Sequence, residues 1–306
     1  MMNAAVAGAP VSFGVFELTP EGAETISADA LLVVLAEQGY RGVDLGPVGF
    51  LGRGDELRER LTQHGLELAG GWVQLPFSND DAFDRSLAEL DDALAIFADA
   101  AALSPTRLPM PTLADAGSPR RAAAPGRGGE VDTLDDAAWG RLVTNVARAA
   151  RIVRDAGFEP TFHHHAGTYV ESPDEIDRFL SDVDVDLTLD TGHLALAGGD
   201  SIDAVARWGS RINHLHLKDV DLDALATVLA ADGGMTEVWS SGSFVSLGKG
   251  NLALAGVLDY FDDRDYAGWI VIEQDILPLP GTPLPEFLAQ RTRDHRSNRE
   301  ALTPWL

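Results

Sequence analysis

The stretch WGRLVTNVARAARIVRDAGFEPTFHHH, residues 139–165, contains one complete unit of a helix followed by a strand. Apolar residues recur at three- and four-residue spacing over residues 139–156, which predicts a helix with one buried face. Gly157 follows this pattern and is typical of a helix end before a short turn. The apolar run that begins at Phe158 then predicts a strand over residues 158–165. The helix is therefore expected to lead directly into the strand.

The same unit repeats along the chain, and eight strands are predicted, at residues 11–16, 42–47, 66–75, 106–111, 158–165, 185–190, 212–218 and 268–274. Helical patterns lie between them, including residues 28–37, 86–101, 139–156 and 173–180. Strands separated by helices run parallel, and eight such units close most economically as a (β/α)8 barrel. An open doubly wound sheet is the alternative, but no Gly-x-Gly-x-x-Gly motif opens a helix after the first strand. The sequence therefore predicts an α/β fold, with one TIM-barrel domain over residues 1–306.

Composition and charge exclude several classes of function. The formal net charge of −25 opposes the binding of phosphate backbones, so we expect no nucleic-acid partner. We also expect no membrane association and a cytoplasmic location, because the chain has no long apolar run and no secretory pattern at its start. The chain contains no cysteine, which leaves histidines and carboxylates as the strong metal ligands.

Two long connections follow predicted strands, at about residues 112–135 and 220–250, and are expected to lie over the C-terminal face of the barrel. The first is locally basic and of low complexity, and it is interpreted either as a lid or as a mobile surface loop. The second ends in GSFVSLGKG, residues 242–250. This segment does not match a phosphate-binding P-loop, because its spacing differs and neither Ser nor Thr follows Lys249.

Histidines are concentrated at the ends of three predicted strands. Six of the eight lie between residues 163 and 216. Because side chains alternate along a strand, His163 and His165 are expected on one face and His164 on the other. The same alternation directs Asp190, His214 and His216 into the barrel mouth, and also Val271 and Glu273.

Four inward residues from consecutive strand ends are expected to converge on one metal ion: His163, Asp190, His216 and Glu273. Alone, each has an ordinary structural interpretation as a hydrogen-bonded core residue or a turn residue. Together, two imidazoles and two carboxylates suit a divalent cation. We expect Mn2+ or Co2+, with Zn2+, Fe2+ and Mg2+ as alternatives.

Four segments of the chain resemble one known superfamily: FHHHAGT at 162–168, LDTGH at 189–193, HLHLKDV at 214–220 and GWIVIEQD at 268–275. The chain is similar over nearly its whole length to the sugar isomerase/epimerase superfamily of xylose-isomerase-like TIM barrels. The segments LDTGH and HLHLKDV are typical of the whole superfamily. The triple histidine followed by Ala-Gly-Thr is narrower, and it resembles the inosose dehydratase branch.

The resemblance implies that Asp190, His216 and Glu273 occupy metal-ligand positions. It also implies that His163 stands where ketose epimerases carry a glutamate, one of two opposed bases. Loss of that base favours dehydration of a keto-polyol such as 2-keto-myo-inositol, by removal of an α-proton and loss of a β-hydroxyl. The candidates for general base and general acid are Glu273, His165, His193 and Lys218. Substrate-binding roles are predicted for Asp44, Trp72, His193 and Lys218.

Several interpretations stay open at this point. Lys218 also has a structural interpretation as an ion-pair partner of Asp219 or Asp44. A metal-dependent isomerase or epimerase of a free or phosphorylated keto sugar is the first alternative function. An apurinic-site endonuclease is opposed by the negative charge, and a non-catalytic sugar-binding barrel by the cost of so many inward polar residues. The expected partner is a small polyol or sugar. Barrels of this kind often form homodimers, although no surface patch in the sequence demands one.

Overall fold

In the computed structural model, which describes residues 1–19, 24–104, 107–278 and 281–306, eight parallel strands close into a barrel. These strands are β1 (Ala5–Gly8), β2 (Gly42–Asp44), β3 (Glu67–Leu75), β4 (Met110–Asp115), β5 (Thr161–His163), β6 (Asp186–Asp190), β7 (Ile212–Leu217) and β10 (Trp269–Ile272). Each pairs with its neighbours in chain order, and β1 closes the barrel on β10. The predicted (β/α)8 fold is confirmed. A separate antiparallel pair consists of β8 (Asp219–Val220) and β9 (Phe244–Val245).

Helices connect the strands and surround the barrel. They are α1 (Ala28–Glu37), α2 (Gly54–His64), α3 (Asp80–Ala101), α4 (Pro119–Ala122), α5 (Gly128–Val131), α6 (Asp136–Asp155), α7 (Pro173–Asp182), α8 (Thr191–Leu196), α9 (Ser201–Trp208), α10 (Leu222–Ala230), α11 (Met235–Ser240), α12 (Leu254–Asp262) and α13 (Leu284–Ala301). Short 3-10 helices lie at Pro10–Phe13, Gly209–Arg211 and Thr303–Trp305. In the ranges described, no helix is both long and apolar enough to cross a membrane.

Glycines end three of the helices, among them the helix end that the sequence predicts at Gly157. Gly39, Gly65 and Gly157 follow α1, α2 and α6 with φ angles of 77°, 63° and 91°. This left-handed backbone conformation costs a glycine little and strains other residues. Each helix therefore reverses quickly toward the next strand.

Two apolar layers lie on either side of the strands. Leu215, Leu217, Ile270 and Ile272 belong to the large core between the barrel and its helices. The side chains that fill the barrel interior form a separate cluster of small residues around two larger ones: Ala5, Ala7, Ala9, Ala69, Trp269 and Val271. This alternation directs the polar residues at the strand ends into the barrel mouth.

The first strand was predicted at residues 11–16, and this prediction is wrong. Residues Pro10–Phe13 form a 3-10 helix that ends at Gly14 with a φ of 77°, and β1 lies upstream at Ala5–Gly8. Three of the four residues of AVAG are alanine or glycine, which have low strand propensity. Their small size permits tight packing. A Cβ atom at Gly8, for example, would lie 2.5 Å from the Cδ2 atom of Leu35.

The fourth strand extends further than predicted. Of the predicted strand 106–111, Thr106 lies outside the described residues. The structure has β4 from Met110 to Asp115. Pro111, the last residue of the predicted strand, lies within β4 opposite Gly71, although proline removes a backbone donor. Asp115 is consequently the residue at the barrel mouth.

Candidate active site

A buried lysine lies among three carboxylates at the barrel mouth. The Nζ atom of Lys218 is 2.6 Å from Oδ2 of Asp190, 2.7 Å from Oε2 of Glu273 and 3.2 Å from Oδ1 of Asp275. Lys218 is only 1% exposed. These four residues are called the Lys218 cluster below. The ion-pair partners of Lys218 are therefore these three carboxylates. They are not Asp219 or Asp44, the partners predicted if Lys218 had only a structural role.

Three of the four predicted metal ligands form a compact group. One ligand atom each from His163, Asp190 and His216 lies within 4.8 Å of the others. The Nε2 atom of His163 is 3.2 Å from Nδ1 of His216 and 3.3 Å from Oδ2 of Asp190. Glu273 is not part of this group, but its Oε2 atom is 3.0 Å from Nδ1 of His216. Two ring nitrogens that face each other and a carboxylate fit a divalent cation, because each can offer a lone pair to it.

Opposite charges hold three of the four members of the Lys218 cluster ionised, namely Lys218, Asp190 and Glu273. Burial opposes the charge on Lys218, but Asp190, Asp275 and Glu273 outweigh burial and raise the pKa of its ammonium group. Burial likewise opposes ionisation of Asp190, yet the charge of Lys218 holds its pKa well below the usual range. The pKa of Glu273 is lowered by His216 and Lys218 against burial. For Asp275, burial dominates and raises the pKa to about 7.

Two histidine rings, tilted by 40° relative to each other, lie in contact beside this cluster. The rings of His165 and His193 have centroids 3.6 Å apart. The Nδ1 atom of His165 lies 2.7 Å from the carbonyl oxygen of Ala166, so Nδ1–H donates there and Nε2 stays an acceptor. The Nε2 atom of His193 is 3.3 Å from Oδ2 of Asp275. Burial holds the pKa of both histidines well below the ordinary value, which favours neutral imidazoles.

Two of the predicted substrate-binding residues, Asp44 and Trp72, lie on β2 and β3. The ring of Trp72 lies edge-on to His163 and His165, at centroid distances of 5.2 and 4.9 Å. Oδ1 of Asp44 accepts a hydrogen bond from the backbone N–H of Gly46, at 3.2 Å. Burial raises the pKa of the Asp44 carboxyl group to about 6.

An inner chamber of about 290 Å3 brings the predicted residues together. Eight of the nine line it: Asp44, Trp72, His163, His165, His193, His216, Lys218 and Glu273. The ninth, Asp190, is fully buried and lies behind His163 and Lys218. An outer chamber of about 730 Å3 adjoins the inner one and shares Trp72 and His165 with it.

Sequence reasoning missed two buried carboxylates at this face. Asp275 lies two residues beyond Glu273, so the alternation that directs Glu273 inward could have identified it. Asp115 lines the outer chamber and was missed because the predicted fourth strand ended too early. Trp239 also lines both chambers, but no local pattern in the sequence marks it.

A second buried ion network holds the first long loop against the barrel. Arg121 is 1% exposed, and its Nη2 atom is 2.6 Å from Oε1 of Glu175. Its Nε and Nη1 atoms each donate to a backbone carbonyl at 2.6 Å, those of Asp132 and Thr168. The carboxylate of Glu171 accepts three backbone N–H groups at 2.6 to 3.0 Å, from Gly126, Gly128 and Gly167. Arg121, Glu171 and Glu175 are called the Arg121 cluster below. The loop is thus a fixed wall of the outer chamber.

The second long loop is organised by Asp219. Its Oδ2 atom accepts the backbone N–H groups of Gly248 and Gly250 at 2.8 and 2.9 Å, and its Oδ1 atom accepts that of Leu252 at 3.2 Å. The Gly-Lys-Gly segment therefore binds a carboxylate of the chain itself. This agrees with the prediction that it is not a phosphate-binding loop.

Known proteins resemble the chain in both sequence and structure. The family model described as xylose isomerase-like TIM barrel matches residues 32–292. An inosose dehydratase of Geobacillus kaustophilus is 31% identical over 284 residues, which cover 90% of this chain and 88% of the relative. A probable 3-DHS dehydratase of Bacillus anthracis, AsbF, superimposes with a TM-score of 0.65 at 16% identity over 98% of both chains. An L-ribulose 3-epimerase gives a TM-score of 0.68 at 16% identity, over 99% of this chain and 94% of that one. At such identities these two structures establish the fold alone.

Proposed function

The chain belongs to the xylose isomerase-like TIM barrel family, and we propose that within this family it dehydrates a small keto-polyol such as 2-keto-myo-inositol. The similarity to inosose dehydratase supports this substrate class. The observation that carries the proposal is the position of His163, whose Nε2 atom lies 3.3 Å from Oδ2 of Asp190. Epimerisation by two opposed glutamates requires a carboxylate at position 163. Dehydration requires only one proton abstraction and one protonated leaving group.

Four residues are suited to hold a divalent cation: His163, Asp190, His216 and Glu273. Such a cation supplies stabilisation of the negative charge that develops on the substrate's carbonyl oxygen. Lys218 positions two of these ligands, because its ammonium group contacts both Asp190 and Glu273. The donor set of nitrogen and oxygen suits Mn2+ or Co2+.

His165 is the proposed general base. Its Nδ1–H is committed to the carbonyl of Ala166, which fixes the tautomer and leaves Nε2 free to accept a proton in the inner chamber. In the proposed step the α-carbon's C–H bond breaks, its proton goes to His165, and the electron pair forms the new C=C bond. The β-carbon's C–O bond breaks at the same time or afterwards.

The hydroxyl group that leaves needs a proton, and His193 with Asp275 is the proposed donor. The two side chains lie 3.3 Å apart and both line the inner chamber. Asp275, whose pKa burial raises to about 7, donates a proton to the departing hydroxyl, which leaves as water, and the neutral ring of His193 lies beside it. The group that removes the α-proton, His165, is thus different from the group that protonates the leaving hydroxyl, as a dehydration requires.

The test is incubation of the Mn2+-loaded protein with 2-keto-myo-inositol. We expect an ultraviolet-absorbing enolised dione, and we expect the variant His165→Gln to form it between a hundred and ten thousand times more slowly, the usual contribution of a general base at roughly 10² to 10⁴. If the protein forms no dione from 2-keto-myo-inositol but epimerises free ketoses, it is an epimerase and the proposal is wrong. If Glu273→Gln binds the polyol and the parent protein turns over none of these compounds, the barrel is a binding protein.

A further inference from the structure

Two carboxylates outside the Lys218 cluster occupy matching turns. In Asp44-Leu45-Gly46 and in Asp115-Ala116-Gly117, Oδ1 of the aspartate accepts the backbone N–H of the glycine two residues later, at 3.2 and 2.7 Å. Both glycines have a φ of 59°. Asp190 makes the same bond to Gly192 at 2.9 Å. The three aspartates end β2, β4 and β6, which are alternate strands of the barrel.

The second carboxylate oxygen distinguishes these aspartates. Oδ2 of Asp190 contacts Lys218, whereas Oδ2 of Asp44 and of Asp115 is buried without a partner in the part of the chain that the structure describes. A buried carboxylate oxygen without a donor is costly, and native proteins rarely tolerate it unless a ligand provides the donor. Burial raises the pKa of both carboxyl groups to about 6, which reflects this deficit.

Asp44 and Asp115 line different chambers. Asp44 lines the inner chamber, which holds the candidate catalytic residues, and Asp115 lines the outer one. The inner volume of about 290 Å3 lies at the lower end of ligand pockets, which span about 300 to 1,000 Å3, and it suits a single polyol ring. The outer volume of about 730 Å3 is large enough for a second group at least as large as a polyol ring.

The outer chamber is suited to hydroxyl groups and unsuited to phosphate. Its charged lining residues, among those described, are all acidic: Asp115, Asp232 and Glu237. Asp232 already pairs with Arg127 at 3.1 Å, and Glu237 accepts the backbone N–H of Gly234 at 2.9 Å. A phosphate would meet only like charge here, whereas a sugar offers hydroxyl donors to Asp115 and an apolar face to the indoles of Trp72 and Trp239.

We propose that the outer chamber is a second subsite that binds a phosphate-free, polyhydroxylated substituent through Asp115. The natural substrate is then a keto-polyol that carries a glycosyl group, with the polyol ring in the inner chamber and the glycosyl group in the outer one. This inference rests on the proposed function for the identity of the inner ring. Beyond the proposed function, it specifies a substrate that is larger than a single ring and carries no phosphate. It also assigns Asp115 as a specificity-determining residue.

Binding of unreactive probes tests the subsite without turnover. Titration calorimetry of the Mn2+-loaded protein compares myo-inositol, galactosyl-myo-inositol and myo-inositol 1-phosphate. We expect the galactosyl compound to bind about tenfold more tightly than myo-inositol, as one added hydrogen bond to a carboxylate supplies. The phosphate should give no gain. Asp115→Asn keeps the acceptor for Gly117 and should abolish the galactosyl advantage while it leaves myo-inositol binding unchanged.

Three further variants make the test specific. Asp44→Asn should weaken both neutral probes equally. The control Asp91→Asn, on the exposed face of α3 and outside both chambers, should weaken neither. Should Asp115→Asn fail to fold, Ala123→Trp, which fills the outer chamber alone, must remove the advantage. Equal binding of both neutral probes to the parent protein, or tighter binding of the phosphate, would overturn the proposal. If the galactosyl advantage depends on Asp115 but 2-keto-myo-inositol is not dehydrated, the proposed function fails and the subsite stands.

Discussion

The Lys218 cluster and the Arg121 cluster are both buried ion networks at the open end of the barrel, and they differ in how completely their polar atoms are paired. In the Arg121 cluster every guanidinium nitrogen has an acceptor, and the Glu171 carboxylate receives three N–H groups. Around the Lys218 cluster, Nδ1 of His163, both ring nitrogens of His193 and Nε2 of His216 form no hydrogen bond among the residues described. A fully paired network fixes a loop, whereas an incompletely paired one retains capacity for a ligand.

The largest effect is expected from Asp190→Asn. The change keeps Oδ1, which caps α8, and removes the charge that faces His163 and Lys218. We expect kcat to fall about a thousandfold, the upper effect of removing one preorganised electrostatic group, and bound Mn2+ measured by elemental analysis to fall with it. The matched control is Asp186→Asn on the same strand, where Asp186 pairs with Arg211 at the surface. Equal losses in both variants would mean that the charge of Asp190 has no specific role in turnover or in Mn2+ binding.

Arg121→Met tests the structural role of the Arg121 cluster. Removal of Arg121 from this buried ion network leaves the carboxylates of Glu171 and Glu175 without their positively charged partner. We expect the free energy of unfolding to fall by about 3 kcal/mol, without rescue by Mn2+, in chemical denaturation. The adjacent Arg120, which is exposed, gives the control Arg120→Met, with an expected change below about 0.5 kcal/mol. Rescue of Arg121→Met by Mn2+ would assign the Arg121 cluster to the metal site.

His295 sharpens the comparison, because its Nε2 atom also lacks a partner in the described chain but lies outside both chambers. Burial, with the charge of Arg291, lowers its pKa to about 3. The folded protein therefore keeps His295 neutral while the unfolded chain protonates below about pH 6.5. Stability from this group is complete above pH 6.5 and is lost as the pH falls toward 3.

At pH 5 this loss is expected to be about 2 kcal/mol relative to pH 7. The measurement is the unfolding free energy of the parent protein and of His295→Gln at both pH values, since the difference between the two proteins removes the contribution of the other acidic groups. His295→Gln should leave turnover unchanged. A loss of activity in this variant would mean that an unpaired atom alone marks a functional residue.

The sequence predicted the second half of the barrel better than the first. Strands β5 to β7 alternate polar and apolar residues, so the inward positions of His163 and His216 follow from a period of two. β1 consists of alanine, valine and glycine, so it has no polar residues that could alternate with apolar ones. The predicted fourth strand ended at Pro111, whereas β4 continues to Asp115. Local periodicity therefore identifies strands whose two faces differ chemically and misses those whose faces are alike.

The pairing of the site residues was less predictable than their positions. Asp219 follows Lys218 directly, but adjacent strand residues point to opposite sides, and Asp219 instead binds the backbone of residues 248–252. The partners of Lys218 come from β6 and from the residues after β10, which only the closed barrel brings together. Such long-range contacts have no signal in a single sequence.

Closure of the barrel between β1 and β10 has a kinetic consequence. Ala5 pairs with Trp269, so the contact joins residues 264 positions apart. Non-local pairing of this kind is slow to form, since the entropy of closing so long a loop is lost before the contact stabilises the chain. During synthesis on the ribosome, β1 and β7 remain open sheet edges until β10 has emerged, and this interval is when a nascent chain most needs protection from intermolecular strand pairing.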